Sequence, residues 1–164
     1  MHALAAGKAA PEVSLPDMHG KPFSLRHALP NGPVLLVFFK VTCPVCQYSL
    51  PFFDRLYRAH HGKVRIVGVS QHSKPETAKF LREYGVTFPV LLDDPDSYAA
   101  SNAYHLTNVP TAFLVAPDGE IEISSVGWNR QDVEQINRRL ARAAANPAPP
   151  LFHRGEDVVD YKAG

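Results

Sequence analysis

Cysteine is scarce in this chain, with two in 164 residues. So few exclude a multi-disulfide framework, and a chain of this length can bury a core large enough to fold without such staples. Charge of one sign is missing too. Seventeen basic and 16 acidic residues leave a formal net charge of +1, which gives no overall field toward nucleic acid or an anionic membrane. The densest basic group, Arg138, Arg139 and Arg142, reads as the solvated face of a helix. No apolar run approaches the length of a membrane span, and no internal period marks a solenoid. Residues Met1 to Ala10 lack a basic start followed by an apolar core. The expected location is therefore cytoplasmic, or exported if a leader has been removed.

What is present is a composition that is 45% hydrophobic and 20% charged, ordinary for one globular domain. We expect an arm over residues 1–10, a single domain over 11–145, and a proline-rich linker and tail over 146–164. The tail begins Asn146-Pro147-Ala148-Pro149-Pro150, an extended composition that packs poorly, so disorder or loose docking is its default. The alternative is that Leu151, Phe152 and Tyr161 dock on the domain or on a second subunit.

Hydrophobic patterning orders the elements. Short apolar pieces flank the turn-like Asp17-Met18-His19-Gly20 and predict an N-terminal hairpin. The unbroken run Val34 to Phe39 suits a strand covered on both faces, the best candidate for the sheet centre. Leu50, Phe53, Leu56 and Tyr57 then recur at helical spacing to about His60. Val64 to Val69 gives a second buried strand, and Ser73 with Glu76 supplies the cap of a helix ending at Gly85. A short strand over Phe88 to Leu92 is followed by a brief helix expected to start at Asp94-Pro95-Asp96 and run through Tyr104. Thr111 to Ala116 and Glu120 to Val126 form a hairpin around Pro117-Asp118-Gly119, and Asn129 caps a last helix. Parallel units followed by a hairpin and helix indicate an α/β fold.

The two cysteines stand as Cys43-Pro44-Val45-Cys46, between a strand end and a helix start. A thiolate, not a thiol, attacks a disulfide. At the cap position Cys43 meets free backbone N–H groups and the positive end of the helix, both of which favour a negative sulfur. Pro44 lacks an N–H where none is needed, so the donors left are Val45 and Cys46. One turn inside, Cys46 is placed to attack a mixed disulfide formed at Cys43. Cys43 is thus the expected nucleophile and Cys46 the resolver.

Phe38 to Cys46, Pro51, and Val109-Pro110-Thr111 ahead of an apolar strand together resemble the thioredoxin superfamily. The N-terminal hairpin, the segment Gly85 to Asp94 and the ending Ala116-Pro117-Asp118-Gly119 resemble its TlpA/ResA and AhpC/TSA-like branch. The resemblance implies a thioredoxin-like fold, a central mixed sheet flanked by helices with an N-terminal hairpin. It also implies a cis proline at Pro110 lying against the cysteine pair, with the backbone of Val109 open to an extended peptide. Thr42, Pro44, Val45, Val109 and Pro110 are then the substrate-binding candidates beside catalytic Cys43 and Cys46. Implied partners are a protein disulfide or dithiol substrate and an electron donor or acceptor protein, with no bound cofactor, metal, nucleic acid or membrane.

Departures narrow the reading. Thioredoxins carry tryptophan just before the first cysteine and a buried aspartate six residues before it, where this chain has Thr42 and Val37. ResA-like proteins often have a glutamate three residues after the second cysteine, and here that residue is Ser49. No proton-relay carboxylate is identified, and Glu12 and Lys40 are the candidate neighbours of the pair. A peroxiredoxin-like thiol peroxidase is the nearest alternative. It would need a threonine three residues before its cysteine and an arginine near Thr111; the chain offers Lys40 before Cys43, Cys43 before Cys46, and only the distant Arg130. A redox-silent or metal-binding interaction domain ranks lower, because His60, His61, His72 and His105 lack ligand spacing.

Overall fold

The computed structural model describes residues 2–164. Strands β1 (Ser14–Pro16) and β2 (Pro22–Ser24) pair antiparallel as the expected hairpin, and Ser24 caps the short helix α1 (Leu25–Ala28). Strand β3 (Val34–Phe39) follows, buried along its whole length. Helix α2 (Pro44–Ala59) returns the chain to β4 (Arg65–Ser70), which lies parallel to β3. Helix α3 (Lys74–Tyr84) leads to β5 (Val90–Leu92), and helix α4 (Ala99–Ala103) precedes β6 (Thr111–Val115). Strands β7 (Ile121–Val126) and β8 (Trp128–Asn129), helix α5 (Arg130–Ala143) and strand β9 (Tyr161–Lys162) complete the fold.

The main sheet has the order β5-β4-β3-β6-β7, parallel on one side of β3 and antiparallel on the other. Side chains alternate across a strand, and in β3 this divides the core in two. Leu35, Val37 and Phe39 join Phe53, Leu56, Ile136 and Leu140 from α2 and α5 on one face. Leu36 and Phe38 join Val13, Leu25, Phe113 and Tyr104 on the other. With both faces roofed, an unbroken apolar strand is what burial requires.

Local chemistry sets the helix ends. Ser73 Oγ accepts the Glu76 N–H, and Gly85 closes α3 in the left-handed region at φ 66°, where a side chain would add strain. The short helix α4 departs from expectation by starting at Ala99. The Asp94 side chain instead folds an Asx turn onto the Asp96 N–H, and buried Asp93 holds the helix start by accepting from the Ala100 and Ser101 N–H groups and the Ser101 hydroxyl.

The larger departure is the tail. Disorder or loose docking was its default, yet residues 146–164 run back across α2 and α5. Leu151 and Val158 are buried, and Phe152 packs against Phe52 and Trp128. The Arg55 guanidinium grips Glu156 through two bonds of 2.8 and 3.0 Å and also donates to the Leu151 carbonyl. The prolines bridge between anchors, and Asn137 holds the Pro149 carbonyl at 2.7 Å. Few apolar residues do the docking, but each meets a prepared partner.

Candidate active site

Both cysteines stand at the C-terminal end of β3, where the chain turns into α2. Cys43 is the N-cap residue, in extended conformation, and its sulfur accepts the Cys46 N–H at 3.2 Å. A cysteine sulfur thus fills the place that serine or aspartate oxygens take at other helix starts. The Cys43 Sγ also donates to the Val109 carbonyl at 3.4 Å. Both sulfurs are free thiols.

Their surroundings differ sharply. Cys43 is partly exposed, with Thr42 and Pro44 exposed on either side and Val45 half-buried. Cys46 is fully buried in the core with Val37, Leu50 and Phe53. Burial pushes the Cys46 thiol well above the ordinary cysteine range, and the adjoining Cys43 sulfur adds to the effect. The Lys40 backbone hydrogen bond opposes this without cancelling it.

The second wall of the site is the loop from Asn108 to Pro110. The Val109–Pro110 peptide bond is cis. Thr111 donates its hydroxyl to the Asn108 carbonyl at 2.7 Å, and the Gly127 N–H donates to the Pro110 carbonyl at 2.7 Å. The Val109 carbonyl is thereby held toward Cys43. Cys43 and Val109, far apart in sequence, thus meet at one surface, with Cys46 and Pro110 buried behind them.

The candidate neighbours of the pair fare unequally. Lys40 is beside the cysteines, its carbonyl accepting the Cys43 N–H and its side chain exposed. Glu12 is not. Its carboxylate caps the Val13, Ser24 and Arg26 region, near Pro117 and Asp118 at the opposite end of the sheet. Its place near the hairpin was legible, but not which end of the sheet the hairpin covers. Ser49 is buried and spends its hydroxyl on the Val45 carbonyl at 2.6 Å. Arg130 is engaged by Glu134, the Val158 carbonyl and the Phe152 ring. Among the described residues no three His, Cys, Asp or Glu side chains converge as for a metal, and no helix is long and apolar enough to cross a membrane.

Two features escaped the sequence reading. Asp54, on α2, is fully buried and binds the Thr87 N–H, the Thr87 hydroxyl and the Phe88 N–H through one oxygen. Its other oxygen is 2.9 Å from the Arg58 Nε, off the line of a hydrogen bond. This carboxylate fastens α2 to the start of β5 and is occupied there. The second is Tyr48, whose spacing with Phe52 and Arg55 marks another face of α2; that face is the one the tail covers.

The AhpC/TSA family pattern matches residues 6–124. The chain belongs to that family. Among similar proteins, the thiol-disulfide oxidoreductase ResA of Geobacillus kaustophilus is 31% identical over 136 residues, spanning 81% of this chain and 76% of that protein. The thioredoxin domain of a thiol-disulfide oxidoreductase from Bacteroides vulgatus superposes with a TM-score of 0.72 at 25% identity, covering 82% of this chain and 96% of that one. A peroxidoxin, BcpB of Mycobacterium tuberculosis, shares the fold at a TM-score of 0.66 and 21% identity, over 87% of this chain and 95% of that one. Fold alone therefore does not separate disulfide exchange from peroxide reduction, so the residues at the site must.

Proposed function

We propose that this AhpC/TSA-family protein is a thiol-disulfide oxidoreductase that exchanges its Cys43/Cys46 dithiol with a disulfide in a protein partner. The observation that carries the reading is the asymmetry of the pair: one sulfur capping a helix at the surface, the other buried one turn inside. In the reducing direction, the Cys43 thiolate attacks a substrate disulfide, forming a mixed disulfide and releasing one substrate thiolate. Cys46 loses its proton and attacks the Cys43 sulfur. The products are the Cys43–Cys46 disulfide and the second substrate thiolate, with two electrons passed to the substrate. The raised Cys46 thiol keeps the resolver protonated until the mixed disulfide forms, when the departing thiolate is at hand as a base.

Thr42, Pro44, Val45, Val109 and Pro110 would line the approach. Peroxide reduction receives less support, because Arg130 is committed to Glu134, Val158 and Phe152. The direction of exchange would follow the compartment. A cytoplasmic setting would favour reductase work, and an exported one would allow cytochrome maturation or disulfide correction.

The test is the equilibrium of the pair in glutathione or dithiothreitol buffers, read by thiol alkylation, with Cys43→Ser and Cys46→Ser as controls. A reversible two-electron couple is expected. At pH 8 the Cys43→Ser chain should alkylate on the order of 100-fold more slowly than the Cys46→Ser chain, and Cys46→Ser should accumulate a mixed disulfide. Failure to form a disulfide, or peroxide oxidation of Cys46 alone, would sink the reading.

A further inference from the structure

The strand that ends the described chain runs directly to the wall of the active site. Beyond buried Val158, the Val159 N–H donates to the Tyr48 hydroxyl at 3.2 Å, and the Trp128 indole donates to the Val159 carbonyl at 2.7 Å. Strand β9 pairs with β8, and the Lys162 ammonium sits 5.1 Å from the Tyr48 ring centre. The Asn108 side-chain amide then donates to Gly164 O at 2.8 Å. Gly164 presses so closely on Val109 that a Cβ there would collide with the Val109 carbonyl. Gly127 makes the same allowance on the other side, because a Cβ on it would strike the Lys162 carbonyl.

We propose that residues Tyr161–Gly164 are a resident occupant of the peptide-docking edge at Asn108 and Val109, and that an extended substrate must displace them to reach Cys43. The inference rests on the exchange reading above and adds what sits on the docking surface. One peptide group, the Val109 carbonyl, is touched by the Cys43 thiol and by Gly164. A partner bringing an extended backbone along Val109 toward the Cys43 sulfur needs the volume that Gly164 fills.

The occupant is built to leave. Residues 159–164 are all exposed, Tyr161 to 59%, so none of them is a buried anchor of the fold. Leu151, Val158 and the Arg55–Glu156 pair stay behind as the fixed end. The surface selects an extended segment with a glycine, or a gap, opposite the Val109 carbonyl. A disulfide too small to carry flanking backbone passes without displacing anything.

Single-turnover oxidation of the reduced protein by two disulfides tests this. One is an extended decapeptide carrying a mixed disulfide, the other a small aryl disulfide. Deleting Tyr161–Gly164 should lower the half-saturating decapeptide concentration three-fold or more while leaving the limiting rate and the aryl disulfide rate unchanged. The undeleted Gly164→Ala chain should move the same way by less, and free Tyr-Lys-Ala-Gly peptide should reverse the effect of the deletion. An unchanged half-saturation in the deleted chain, or an equal change with both disulfides, overturns the proposal. If neither disulfide oxidises the undeleted chain, the exchange reading itself falls, a result distinct from an active chain indifferent to the deletion.

Discussion

The two halves of the C-terminal segment are adjacent in sequence and held by different chemistry. From Leu151 to Val158 the chain is fastened as a core is, by buried apolar side chains and a two-pronged guanidinium–carboxylate pair. From Val159 to Gly164 it is fastened as a ligand is, by a short strand pairing, single hydrogen bonds and one cation over an aromatic ring. Burial is what makes a contact expensive to break. One half is therefore part of the domain and the other is resting on it.

Variants should separate the halves, most strongly at the buried end. Leu151→Ala should cost about 2–3 kcal/mol of stability, read as a lower urea midpoint, with amide exchange accelerating from residue 151 onward. Equal loss of protection across the whole protein would instead make the segment inseparable from the domain. Arg55→Met keeps an apolar stem on Phe52 but loses the Glu156 fork, so a smaller drop in urea midpoint than that of Leu151→Ala is expected.

Acid should loosen the fixed half. Hydrogen bonding to Arg55 holds the Glu156 carboxyl down at about 2, from an ordinary 4.5. Its contribution is complete above about pH 4.5 and is lost as pH falls through about 2. Trp128 fluorescence, sensitive to Phe152 alongside it, should follow that loss, and Glu156→Gln should flatten the profile. The smallest effect belongs to the resting half, where Gly164→Ala should change global stability by less than about 0.5 kcal/mol. A larger loss there would erase the distinction between the halves.

Much of the fold was legible because its signals are local. The unbroken run Val34 to Phe39 suits a strand roofed on both sides, and Ser73, Gly85 and Asn129 announce helix ends through their own side chains or backbone freedom. The cysteine pair was legible for the same reason, since cap position and spacing are written in four consecutive residues. Helix α4 was misplaced because the Asp94 side chain spends itself on a turn at the Asp96 N–H, while Asp93 reaches ahead to the Ala100 and Ser101 N–H groups, a partnership seven and eight residues on that local sequence does not announce. The default reading of the tail failed, while its alternative, docking through Leu151 and Phe152, holds, with Tyr161 left exposed; proline-rich composition describes a chain without a partner. Its partner, the stripe of Tyr48, Phe52 and Arg55, lies about a hundred residues away, on a helix whose other face had already explained its hydrophobic pattern.

The N-terminal arm and hairpin have a bearing on how copies of this molecule behave when crowded together. Strand β5, one border of the main sheet, is met by Asp17 and Met18, the latter donating its N–H to the Val90 carbonyl. Strand β7, the other border, is met by the arm, where Gly7 donates to the Ile121 carbonyl, Ala9 bridges Glu120, and Ser124 reaches the Leu4 carbonyl. Open strand borders are templates for edge-to-edge aggregation. By dressing both borders with its own residues 4–18, the chain protects a strongly apolar sheet from polymerising with its neighbours.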